Sequence, residues 1–149
     1  WILETDSVII RAASVIFLAK DTGRCLLQLR NGDKRHGYTW GFFGGTLEKS
    51  ETPYEALQRE LQEEIGFLPE LTKLNPLDVY QSRDKHFYYY SFAAVVEQEF
   101  TPTLNYESAG YAWVNIGKWP KPLHQGAHAT LARNRGTQKL HTILDIHTG

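Results

Sequence analysis

Valine, isoleucine and alanine dominate residues 8–18, and Asp21, Thr22 and Gly23 then break the run as a turn does. Residues 25–29 return as a short apolar stretch closed by Arg30, so the two segments predict a hairpin. Residues 31–37 are polar and contain glycine, which predicts a loop, and the aromatic stretch 38–43 reads as a strand running into Gly44 and Gly45. At Pro53 the period changes. Thr52 suits a helix N-cap, Pro53 the first helical position and Glu55 the far corner of a capping box, while Gly66 marks the stop. Further strands are expected at 77–81 and 86–96 around a turn at 82–85, and another at 111–116. Residues 127–145 read as a C-terminal helix broken near 134–136. Strands on both sides of one central helix, with a second helix near the end, predict an α/β fold with a mixed sheet.

Wound at ~100° per residue, the helix Pro53–Ile65 gathers Ala56, Glu60, Glu63 and Glu64 on one arc. Leu57, Leu61 and Ile65 form the neighbouring stripe and face the core, whereas Gln58 and Gln62 point outward. Three carboxylates so placed repel one another by a few tenths of a kcal/mol per pair, on the order expected for i,i+3 and i,i+4 neighbours. They also crowd the half of the helix whose dipole disfavours negative charge. A solvated acidic face is the ordinary reading, but only Arg59 lies near enough to relieve it. A hard divalent cation with oxygen ligands would relieve it too, and Gly44 and Gly45 would let backbone approach a ligand closely.

The spacing sharpens this. Gly45, Glu51, Arg59-Glu60-Leu61, Glu63-Glu64 and Gly66-Phe67 resemble, position for position, the signature of the Nudix hydrolase family. Chance would produce the match on the order of 10⁻¹⁰ per window at average residue usage. The resemblance implies a Nudix-type α/β/α sandwich with a mixed sheet, a catalytic helix at about Pro53–Ile65 and a C-terminal helix. It implies hydrolysis of a nucleoside diphosphate linked to another moiety, by water attack at phosphorus with Mg²⁺ or Mn²⁺. By the same resemblance Glu60, Glu63 and Glu64 coordinate the metal, Gly45 adds its carbonyl, and Glu51, Arg59 and Gly66 are structural. Glu97, Glu99 and Glu107 are candidate loop carboxylates, of which Glu107 is favoured as base or metal-linked residue; Glu97 and Glu99 end a strand and read as solvated. Phe43 stands where many members have proline.

The signature leaves the leaving group open. Residues 81–83 and the flanking Tyr80 and Tyr88 match no familiar subgroup mark, which leans toward a nucleoside triphosphate or related nucleotide. ADP-ribose, a nucleotide sugar or a dinucleoside polyphosphate is the alternative substrate, and a non-catalytic nucleotide-binding or sensor module is the alternative of another class. Arg30, Arg83 and Lys85 could meet phosphates, and Trp40, Phe42, Tyr88 and Tyr90 could stack on a base. Solvated cations and core aromatics are the commoner fates of such residues. His124 and His128, four apart, lack a third ligand for zinc.

Composition narrows the partners. With 149 residues, 42% hydrophobic, the chain reads as one domain. Its net charge of −1 supplies no field for a nucleic-acid backbone, so a small nucleotide substrate is expected and a stable nucleic-acid partner is not. That balance also weighs against an RNA 5′-end pyrophosphohydrolase. No apolar run reaches the ~18–20 residues of a membrane span. No secretory signal is visible, and Cys25, the single cysteine, excludes an internal disulfide, so a cytoplasmic setting is expected. Cys25 reads as a buried structural thiol. The absence of methionine suggests a native start lost from this sequence. Relatives of the resembled family often form homodimers, although nothing in the chain marks a partner surface.

Overall fold

The computed structural model describes residues 8–33, 37–66, 74–133 and 135–148. In chain order the elements are β1 (Ile10–Ala19), β2 (Arg24–Arg30), β3 (Trp40–Gly41), β4 (Phe43–Thr46), α1 (Pro53–Ile65), β5 (Leu74–Gln81), β6 (Phe87–Val96), β7 (Ser108–Asn115), α2 (Gln125–His128) and α3 (Gly136–Thr148). A π-helical stretch, Ala129–Arg133, joins the last two. The strands form one mixed sheet in the order β3-β2-β1-β6-β5, with β4 also on β1 and β7 also on β2. Among the described residues no helix is long and apolar enough to cross a membrane.

β1 organises this sheet. It runs parallel to β6 along its whole length, from Ile10 opposite Phe87 to Ala19 opposite Val96. Its other edge changes partner midway: Ala12 to Val15 pair with β4, then Phe17 and Leu18 pair with β2. The two antiparallel neighbours part at this fork. Strand alternation sends Ala12, Ile16 and Leu18 to one face and Ala13, Val15 and Phe17 to the other. On the first face they meet Ala127, Leu131 and Leu140 of the C-terminal helices; on the second they meet Leu57, Leu61 and Ile65 of α1. Helices thus cover both faces, which is the α/β/α sandwich.

Local chemistry accounts for the helix ends. Thr52 accepts from the Glu55 N–H at 3.2 Å while Glu55 accepts from the Thr52 N–H at 2.8 Å, and Gly66 closes the helix at φ 67°. The structure departs from the pattern in several places, one of them β7, which begins at Ser108 rather than at residue 111. Gly44 and Gly45 lie inside β4 rather than after a strand, because both pair with β1. β5 begins at Leu74, three residues before the expected start, since a register shift between Pro76 and Asp78 lets the strand continue past the proline. The C-terminal segment is two helices around the π-helical stretch, with Arg135 at φ 59° just before α3; Asn134, at the expected break, lies outside the described residues.

Leu61, fully buried against β1 and β6, anchors α1 to the sheet. Leu61→Ala is expected to cost ~2–5 kcal/mol in urea denaturation; an unchanged midpoint would mean that α1 does not rest on this stripe.

Candidate active site

The loop before α1 is tied to the helix by Arg59. Its guanidinium donates to both Glu51 carboxylate oxygens at 2.9 Å, to the Thr46 carbonyl at 3.1 Å and to Glu60 at 2.8 Å. Glu51 also accepts from the Glu48 N–H at 2.7 Å. These bonds, that to Arg59 foremost, hold the Glu51 carboxyl down at about 2, and the same pair raises the Arg59 pKa above its ordinary value. A planar bidentate fork of this kind fixes geometry as well as charge. Gly66 acts as the helix stop; Phe67, the last position of the motif, lies outside the described residues.

Behind that clamp, carboxylate oxygens of Glu60, Glu64 and Glu107 lie within 4.8 Å of one another. Glu64 is only 1% exposed and Glu60 9%, so this face is in large part buried rather than solvated. Glu63 is the exception, exposed and outside the trio. The i,i+4 pair Glu60 and Glu64 faces β4, and Glu63 sits on the flank of that stripe. Glycine makes this approach feasible. A Cβ on Gly45 would stand 2.5 Å from the Glu60 carboxyl carbon, and one on Gly44, at φ 150°, would strike the Ala13 carbonyl.

Glu64 bridges the fork in the sheet. One oxygen accepts from the Gly44 N–H at 3.0 Å, and the other lies 3.4 Å from the Gln28 amide of β2. Burial, then the hydrogen bond and negative charge of Glu107 and the charge of Glu60, push the Glu64 carboxyl up to about 9. Burial also raises Glu60, against the opposing pull of Arg59. Glu107 enters from the loop before β7, whereas the two other loop carboxylates are engaged elsewhere. Glu97 pairs with Lys20 at 3.0 Å and Glu99 with Arg24 at 2.6 Å.

A cavity of about 780 Å³ opens on the other side of Gly44 and Gly45. Arg30 and Phe42, both expected to bind substrate, line it. The other five candidates lie elsewhere, Lys85 exposed in the 82–86 turn and Tyr90 packed on the α1-side core. Trp40 packs against the core, bridged to Leu123; Arg83 stands exposed in the 82–86 turn; Tyr88 faces the α1 side, with Arg11 5.7 Å above its ring and its hydroxyl accepting from Gln81. Beside Phe42, the phenyl and phenol rings that line the cavity are those of Tyr80, Phe87 and Tyr89. Composition could not separate Tyr88 from Tyr89, because a single step along a strand exchanges faces. The buried Ser14 hydroxyl makes no well-formed hydrogen bond and lies beside the Tyr89 phenol, which burial pushes up to about 12. His124 is an N-cap, its Nδ1 accepting from the Gly126 N–H at 3.1 Å, and His128 is exposed.

The chain resembles known proteins in both sequence and fold. A family model described as NUDIX domain matches residues 9–134. The chain is 32% identical over 119 residues to the putative 8-oxo-dGTP diphosphatase 3 of Mycobacterium tuberculosis, covering 76% of this chain and 55% of that protein. It is 46% identical over 54 residues to the RNA pyrophosphohydrolase of Halorhodospira halophila, covering 36% and 28%. The chain therefore spans no more than about half the length of these curated relatives. The fold superposes on the MutT NUDIX hydrolase of Burkholderia pseudomallei with a TM-score of 0.68 at 22% identity, over 81% of this chain and 94% of that one.

The raised Glu64 carboxyl has a measurable consequence in metal-free protein. The native state binds its proton more tightly than the unfolded chain, whose glutamate titrates near 4.5. With EDTA present, stability from this group is complete below about 4.5 and declines as pH rises toward about 9. Thermal midpoints across that range should fall for the parent chain and fall less for Glu64→Gln; parallel curves would contradict the assignment.

Proposed function

The chain belongs to the NUDIX family, and from that premise we propose that it hydrolyses a pyrophosphate bond in a nucleoside diphosphate linked to another moiety. The favoured substrate is a nucleoside triphosphate or related nucleotide, and the favoured cofactor Mg²⁺ or Mn²⁺. One observation carries the reading: the oxygens of Glu60, Glu64 and Glu107 converge within 4.8 Å beside a cavity large enough for a nucleotide. The donor set fits the cation. Carboxylate oxygens without nitrogen or sulfur suit Mg²⁺ or Mn²⁺, and the crowding that raises Glu64 is what a divalent charge relieves.

Glu60, Glu64 and Glu107 would hold the ion; Glu63 and the Gly45 carbonyl join them on the strength of the motif. The chemistry such a cation supplies when bound is neutralisation of phosphate charge and acidification of the attacking water. The protein's own groups do the rest. Glu107 takes the proton of the water as its oxygen bonds to phosphorus and the bridging oxygen departs with the leaving phosphate. Arg30 pairs with phosphate oxygens from the end of β2. Phe42, Phe87 and Tyr89 wall the cavity that receives the base and keeps bulk water from it.

The relatives favour a free nucleotide over RNA. The match to the protein named as an 8-oxo-dGTP diphosphatase runs over 76% of this chain, whereas that to the RNA pyrophosphohydrolase runs over 36%. A net charge of −1 adds no surplus for holding an RNA backbone.

The test is phosphate and pyrophosphate release from nucleoside triphosphates, oxidised nucleotides, ADP-ribose, nucleotide sugars, dinucleoside polyphosphates and 5′-triphosphorylated RNA, with Mg²⁺ or with EDTA. Turnover abolished by EDTA is expected, and Glu107→Gln should lower kcat by roughly 10²–10⁴ with little change in KM. Parent-rate turnover in Glu107→Gln would overturn its role as base. Nucleotide binding without turnover of any compound would shift the reading to a non-catalytic binding module.

A further inference from the structure

We infer that Asn105 is a positioning residue: its side chain fixes the loop that carries Glu107 to the end of α1 that carries Glu64, and so sets the spacing of the three carboxylates. The inference rests on the proposal that the trio holds a divalent cation. Glu107 lies on no regular element, one residue before β7 begins. A carboxylate so placed keeps its position only if the surrounding backbone is tied down on more than one side.

One side is tied to β2. The backbone N–H of Asn31 donates to the Glu107 carbonyl at 2.9 Å, and its amide donates to the Tyr106 carbonyl at 2.8 Å. Neither bond reaches α1. That link belongs to Asn105, whose Oδ1 accepts from the Glu107 N–H at 2.9 Å and whose Nδ2 donates to the Glu63 carbonyl at 3.2 Å. The first bond closes an Asx turn on the residue that bears the carboxylate. The second finds an acceptor that the helix leaves open, since carbonyls of the last turn have no intrahelical partner.

One planar amide therefore joins the backbone of Glu107 to the backbone immediately before Glu64. Asn105 is not among the three groups that converge, and it does not line the cavity. Its action on the site passes through the positions of other residues. Aspartate at 105 would keep the acceptor for Glu107 but lose the donor to Glu63, and would add a negative charge at the negative end of α1. Alanine would lose both bonds.

The experiment is Mn²⁺ binding to the whole chain, read by electron paramagnetic resonance of the free ion, beside thermal midpoints in EDTA. Asn105→Ala and Asn105→Asp are each expected to raise the Kd for Mn²⁺ at least about tenfold, as loss of an outer support to a metal site commonly does. The midpoint should stay near the parent's, and kcat should fall while KM for the nucleotide holds. Parent affinity in either variant would overturn the inference, and so would a loss of affinity matched by a collapse of the midpoint. A parent chain that takes up no Mn²⁺ would sink the cation site and Asn105's role together. A parent that binds Mn²⁺ yet hydrolyses nothing would remove only the proposed activity, with the Asn105 variants still judged on their Kd.

Discussion

The arrangement turns on one costly contact, the Glu64 carboxyl held out of water between α1 and the fork where β4 and β2 part on the edge of β1. An ionised carboxylate in such a place is expensive unless it is paired or hydrogen-bonded. Here its neighbours are a backbone N–H, a distant amide and two more carboxylates. Much of the surrounding structure is explained by that contact. Gly44 and Gly45 carry no side chains because the helix carboxylates and the backbone of β1 occupy the space. The capping box and the Arg59 fork fix the helix start and the preceding loop, so α1 has little freedom to carry Glu64 away from the strand.

The charges around the trio are balanced on one side only. Arg59 neutralises Glu60 while it braces Glu51. The protein therefore relieves one member of the cluster with its own cation and leaves Glu64 and Glu107 facing each other. That asymmetry suits a site completed by an added positive charge. The cavity beyond the glycine strand supplies the other requirement, a walled space with Arg30 at its rim and aromatic rings along its side.

Much of this was legible in the sequence because it is local. Thr52, Pro53, Glu55 and Gly66 write the helix ends within a few residues of where they act, and the spacing from Gly45 to Glu64 fixes which carboxylates share an arc. What required the fold was everything decided by a neighbour distant in sequence. Glu63 and Glu64 are adjacent and chemically identical, yet strand β4 buries one and leaves the other exposed. Tyr88 and Tyr89 differ by one step of a pleat, and only the pairing of β6 with β1 tells which looks into the cavity. Glu107 could be favoured over Glu97 and Glu99 by position, but their ion pairs with Lys20 and Arg24 depend on the packing of the first hairpin.

The proposed centre is the trio of Glu60, Glu64 and Glu107, two of them buried and the third half-buried, holding a divalent cation at which a pyrophosphate bond is cleaved. Anomalous diffraction from crystals grown with Mn²⁺ tests it most directly. A peak bounded by oxygens of Glu60, Glu64 and Glu107 is expected, with the Glu64 and Glu107 carboxyls no longer hydrogen-bonded to each other. A trio left metal-free under saturating Mn²⁺, with those two carboxyls still sharing a proton, would contradict it.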